Sequence, residues 1–396
     1  MDKEMFLLGA GASVEAGVPA SYEKTEKMLD KFSNDSQYRT FNRILQFVVG
    51  GLLFQSGADG KNPFGGVNIE DLFNTIDLLG NRSNSELTPF IGSWHPLLQN
   101  FQIGDMSDSA AQNLLRDIYK PMKEYMSDVL KNKSFLKVND FGVRSQFQRD
   151  FSEAVKQSLG SKSQWLFHQT NEIMIEKLIE MVWLKDENSI QYIIPFIKHC
   201  DINDSSIATL NYDNSIEFTG QLLGKEIDTG FSSWSKTGEF KYQTKKIRLL
   251  KLHGSIDWSL ISKTTNESMI LPFQTIEQVD IVNPQQENFR PAIVFGGKNK
   301  LSAVGPSLSL MRAFEKELNK CTKLTCVGYS FHDDHVNEFI RIWLNGKQTR
   351  ILQIVDPKFN ESTGEFIDLL KRIINSQTSN RVITYTEGAG TFFRKL

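Results

Sequence analysis

The chain has 396 residues, 40% hydrophobic and 23% charged, enough to bury a sizeable core and a composition that excludes a mainly disordered protein. Its formal net charge of -2 gives no overall attraction for a polyanion, so direct nucleic-acid binding is unsupported. Cys200, Cys321 and Cys326 are an odd set without CxxC spacing, which fits a reducing compartment and argues against both a disulfide framework and a four-thiolate zinc site.

In chain order, Met5 to Leu8 reads as a short buried strand, followed by a glycine turn and, from about Ser13, the start of a helix. Long helical patterns then run from about Tyr22 to Cys200: SYEKTEKMLDKF, YRTFNRILQFVVGGLLF, LLRDIYKPMKEYMSDVLK and NEIMIEKLIEMVWL. The segment from Gln55 to Gly66 reads as an exposed loop. After about Ser205 the texture becomes short apolar strands, SIATL, IRLLKL, AIVF, LTCVG, ILQIV and RVITYT. Helical patterns at Leu308 to Leu318, His335 to Leu344 and Phe366 to Ile374 separate the later ones. Strands alternating with helices predict a doubly wound α/β fold, a mainly parallel Rossmann-like sheet with right-handed crossovers. The expected domains are residues 1–21 with 201–396 as the sheet domain and 22–200 as a mainly helical insertion. The first residues have too short an apolar run for a signal peptide, and no stretch approaches the ~18 apolar residues of a membrane span. A cytosolic protein is expected.

Ligands of an open parallel sheet bind beyond the carboxyl ends of its strands, so residues just after each strand are the candidates. Gly9, Ala10, Gly11, Ala12 and Ser13 permit a tight turn and close approach of a pyrophosphate; Val14 breaks the GxGxxG pattern, and no P-loop lysine follows. In TLNYD, Asn211 and Asp213 either point at one ligand or cap the helix that follows. His253 in KLHG ends a strand and is a candidate general base. Gly328 and Ser330 in GYS suit a phosphate. Asp356 suits ribose hydroxyls, or serves as a turn residue before Pro357. The C-terminal EGAGTFF either closes over an adenine or ends the last strand. In His332 to His335, HDDH, helix capping competes with metal binding; no further cluster completes a site and no metal is expected. His95, His168 and His199 are assigned structural roles.

Taken together and in order, GAGAS with AGVP, TLNYD, KLHG and GYS resemble the sirtuin superfamily. The resemblance is to the bacterial sirtuin-like branch associated with antiphage defence. Deacylase sirtuins carry a zinc module held by paired cysteines, which these three cysteines do not build, and an Asp-Phe-Arg segment where this chain has ASYEKTEK. The resemblance implies NAD as substrate, with Gly9 to Ser13 at its pyrophosphate. Asn211 would orient water or ribose hydroxyls, His253 would act as base, and Asp213 would support the ribose electrostatically. It further implies an NAD glycohydrolase, with a deacylase, an ADP-ribosyltransferase or a nonenzymatic NAD or ADP-ribose sensor as alternatives. A homo-oligomer is expected, and a HerA-type ATPase partner that docks on the helical region.

Overall fold

Alternation of side chains about an extended backbone places Met5 and Leu7 on one face of the first strand and Phe6 and Leu8 on the other, and all four are buried. In the computed structural model this strand, β1 (Glu4–Leu8), lies at the centre of a seven-stranded sheet. The structure describes residues 3–60, 66–82, 164–243, 245–262, 274–279, 291–293, 306–358, 373–374 and 379–396. The helical pattern 114–131, most of the Phe366 to Ile374 pattern, His95 and residues 61–65 of the expected 55–66 loop lie outside them, while residues 55–58 of that stretch are α-helical.

The chain divides into two compact units, Met1–Lys24 with Glu176–Leu396, and Thr25–Ile175. In the first, the remaining sheet strands are β2 (Ser206–Thr209), β3 (Ile227–Asp228), β4 (Ile247–Lys251), β8 (Lys323–Val327), β9 (Ile351–Val355) and β10 (Val382–Tyr385). Their order is β10-β9-β8-β1-β2-β4-β3, and every pair is parallel. Without the short edge strand β3, this is the 3-2-1-4-5-6 order of a doubly wound nucleotide-binding sheet. The winding reverses at β1, between β8 and β2.

Helices cover both faces. Met5, Leu7, Ala208 and Leu250 pack with Phe314 of helix Ser307–Leu318 and with Ile340 and Trp343 of helix Asp334–Gly346. Phe6, Leu8, Ile207 and Leu249 pack with Phe196 of helix Ile194–Asn203, Ile216 of helix Ser215–Leu222 and Phe393 of helix Ala389–Phe393. Helix Ile194–Asn203, whose sequence continues the helical texture of the preceding segment, thus packs on the sheet. Asp333 accepts from the His335 and Val336 amides and starts helix Asp334–Gly346.

Two local expectations are corrected. The turn after β1 leads into a 3-10 segment, Ala10–Ala16, which stops at Gly17 in the left-handed conformation; α-helix resumes only at Ser21. Ala292 and Ile293, the described part of the AIVF stretch, do not pair in the parallel sheet. β7 (Pro291–Ile293) pairs antiparallel with β5 (Gly254–Ser262), which also pairs with β6 (Gln274–Gln278). Trp258 of β5 sits under Phe231 in a small aromatic core.

The second unit holds helices Arg39–Ala58 and Ile69–Gly80. Ile44, Leu45, Leu72, Phe73 and Ile76 are buried within it, whereas Phe54 and Leu78 are 79% and 65% exposed.

Candidate active site

The first and fourth strand-end motifs interlock at the reversal of the winding. The Gly9 amide donates to the Val327 carbonyl and the Gly11 amide to the Gly328 carbonyl, both at 2.9 Å. A Cβ on Gly9 would lie 2.4 Å from the Gly328 oxygen. One on Gly328, whose φ is 60°, would lie 2.4 Å from the Ala12 nitrogen. Glycine is therefore required at these positions by the approach of two backbones. The Ala12 amide is also committed, to the Gly9 carbonyl, so Gly9, Gly11 and Ala12 all donate within the protein.

The outside of this turn is braced twice. The Tyr192 hydroxyl donates to the Ala12 carbonyl at 2.6 Å, and burial pushes the Tyr192 phenol well above its usual range, keeping it a donor. The Glu15 carboxylate accepts from the Gly390 amide at 2.7 Å, in the C-terminal EGAGTFF stretch. A Cβ on Gly390 would lie 2.1 Å from that carboxylate and displace it from its present position.

Of the two roles open to TLNYD, the structure separates the residues. The Asn211 carboxamide donates to the Gly9 carbonyl and to the Ser13 hydroxyl, both at 2.9 Å, tying the end of β2 to the turn after β1. Those acceptors fix the orientation of the amide and leave Oδ1 without a donor among the described residues. Asp213 is buried and its Oδ1 accepts from the Ser215 amide at 3.0 Å, at the start of helix Ser215–Leu222. Asn214, not singled out in the sequence, mimics a strand partner: it accepts from the Leu184 amide at 2.8 Å and donates to the Leu184 carbonyl at 3.0 Å.

Behind the loop lies Lys251, 1% exposed. Its ammonium donates to the Asp213 carbonyl and the Glu217 carboxylate, each at 2.7 Å. Burial works against its charge, but Glu217, Asp257 and Asp213 outweigh it and hold the ammonium above its usual pKa. Burial in turn raises the Glu217 carboxyl, against the pull of Lys251, and the buried Lys24 ammonium lies 5.0 Å from the Tyr212 ring centroid.

His253 follows β4 and its Nε2 lies 2.8 Å from Asp333 Oδ2, with side-chain exposures of 4% and 5%. In the sequence Asp333 reads only as a helix cap or a metal ligand. No local signal links positions eighty apart. Among the described residues no group of three His, Cys, Asp or Glu side chains is placed to hold a metal, and His332 is exposed.

The remaining candidates lie outside these contacts. Ser330 is exposed, and Asp356, half-buried, accepts from the Lys358 amide at 2.7 Å while its own amide donates to Tyr385. His199 pairs with Glu4 at 3.2 Å at the amino end of β1, a structural place.

Residues 205–367 match the family model of the SIR2-like domain. The SIR2-like segment contains Asn211, Asp213, His253, Gly328, Ser330, Asp333 and Asp356, while Gly9 to Ser13 precede it. No curated protein matches the chain. Among solved structures, Sir2Tm bound to a propionylated peptide is similar at 10% identity, over 99% of this chain and 91% of that one, with a TM-score of 0.35. A Sir2 homologue in complex with ADP-ribose is similar at 12% identity over 58% and 74%, TM-score 0.36. A Sir2 with p53 peptide and NAD+ is similar at 12% identity over 52% and 67%, TM-score 0.31. Likenesses this loose carry no residue assignments. No helix among the described residues is long and apolar enough to cross a membrane.

Proposed function

We propose that the chain is an NAD glycohydrolase: NAD+ and water give ADP-ribose, nicotinamide and a proton. The observation that carries this reading is the tie from Asn211 to Gly9 and Ser13, which brings the TLNYD and GAGAS motifs together where the sheet winding reverses. The SIR2-like match over 205–367 supports NAD as the ligand.

With the amides of Gly9, Gly11, Ala12 and, through the Val355 carbonyl, Gly328 already committed, the pyrophosphate would rely on Ala10, Ser13 and Ser330, and Asp356 would receive ribose hydroxyls. Nicotinamide leaves as a neutral group and the ribose takes on oxocarbenium character. Asp213 stabilises that charge, Asn211 Oδ1 orients a hydroxyl or water, and His253 accepts the proton.

The test is nicotinamide release from NAD by the protein alone, by chromatography, with and without an acetyl-lysine peptide. Release that needs no peptide supports hydrolysis; release only with peptide favours a deacylase or transferase; binding without release favours a sensor. A role in antiphage defence, homo-oligomers and a HerA-type ATPase partner belong to the same proposal through the sirtuin-like resemblance. The exposed Phe54 and Leu78 give the helical unit apolar surface for such contacts. Light scattering, with turnover measured across added ATPase, tests them: a monomer with unchanged turnover refutes both.

A further inference from the structure

Asp333 reaches His253 by an unusual route. It follows β8, whereas His253 follows β4, and β1 and β2 lie between those strands. Three strand spacings are about 14 Å, so the connection from Gly328 to Asp333 has to cross the carboxyl ends of two strands. It does so through Phe331, fully buried, at a φ of 57° that a bulky side chain rarely adopts. The strained residue is held from both sides. Asn337 donates to the Phe331 carbonyl at 2.6 Å, and the Tyr329 hydroxyl donates to Asn337 Oδ1 at 2.7 Å. The aromatic rings of Tyr329 and Phe331 pack together with their centroids 4.5 Å apart.

A simple helix cap needs none of this. Asp333 Oδ1 alone accepts the two amides of helix Asp334–Gly346, and Oδ2 is directed at His253 Nε2. A carboxylate only accepts, so the imidazole nitrogen facing it carries a hydrogen. In the neutral ring the other nitrogen then holds the lone pair.

We infer that Asp333 is a positioning residue that fixes His253 as the Nε2–H tautomer and so makes Nδ1 the proton-accepting atom of the site. This deepens the glycohydrolase reading and rests on it only for the catalytic consequence. Asp333 touches the ring, not the substrate, and acts through orientation.

Two readouts separate the parts. Nitrogen-15 NMR of histidine-labelled protein at about pH 8.5, with the His253 signal assigned by its loss in His253→Gln, reports the tautomer without any NAD. The expected result is Nε2–H in the wild type and a mixed population in Asp333→Ser, which keeps a helix cap but lacks the carboxylate. An Nδ1–H wild type, or an unchanged tautomer in Asp333→Ser, overturns the inference. In turnover, Asp333→Asn and Asp333→Ser should each lose at least ~100-fold in kcat, with KM within about threefold, since an orienting Asp→Asn change in a serine-protease triad costs about 10⁴-fold. Asp333→Asn with wild-type kcat also overturns it. A wild type with the Nε2–H tautomer but no nicotinamide release leaves the orientation standing and removes the glycohydrolase reading.

Discussion

Gly9 and Gly328 meet backbone to backbone: the Cβ that Gly9 lacks would lie 2.4 Å from the Gly328 carbonyl oxygen and 2.6 Å from the Tyr329 Cα. Because the obstacles are main-chain atoms at the carboxyl ends of two central strands, no side-chain rotation relieves them. Gly328→Ala should cost about 3 kcal/mol or more, adding overpacking to the penalty of its positive φ. Gly17→Ala is the control. Its φ is 83° but nothing lies within 4 Å of the added methyl, so it should lose only ~1–2 kcal/mol. Denaturant midpoints of the two variants check this, and equal losses would contradict it.

Two asparagines three positions apart should behave differently. Asn211→Ala should remove at least ~100-fold of nicotinamide release while costing ~1–2 kcal/mol for two lost hydrogen bonds. Asn214→Ala should destabilise by ~1–3 kcal/mol, because the Leu184 amide and carbonyl lose their partner, yet keep kcat within several-fold. Unfolding and turnover measured on the same preparations distinguish the roles; wild-type turnover in Asn211→Ala would refute its assignment.

Lys251→Met should destabilise by ~3–5 kcal/mol, since it strands the Glu217 carboxylate with Asp257 and Asp213 nearby. The pH dependence follows from the raised pKa. The Lys251 contribution is complete below the ordinary value of 10.5 and is lost as pH rises through the higher folded value. The wild type should therefore lose stability above about pH 10.5 more steeply than Lys251→Met. Thermal midpoints from pH 8 to about 11 test this, and parallel curves would refute it.

All three thiols should resist modification in the folded protein. Cys200, Cys321 and Cys326 are buried. Burial raises each thiol, Cys321 to about 11 and the other two well up, so little thiolate exists at pH 8. Ellman's reagent at about pH 8 should find no fast thiol before denaturant and three after it. A fast native thiol would contradict the burial.

Six of the seven strands of the parallel sheet were legible because each carries its own apolar run; β3, two half-buried residues at the edge, carries none and was not. Nor were β5 and β6. GSIDWSLIS and QTIEQ mix polar and apolar residues, and their pairing depends on a partner distant in the chain rather than on local pattern. The same limit applied to AIVF, whose apolar character suits either sheet.

The sequence alone determined the alternation of strands and helices, the glycine turn after β1, and Asn211 and His253 as polar residues at strand ends, since burial periodicity and turn chemistry are local properties. Only the tertiary structure decided that Gly9 and Gly328 are glycines for each other, that Asp213 accepts from the Ser215 amide while Asn211 ties two motifs, and that Asp333 faces His253. Those facts depend on strand order, which brings residues eighty or more than three hundred positions apart within a few ångströms and leaves no periodic trace in either segment.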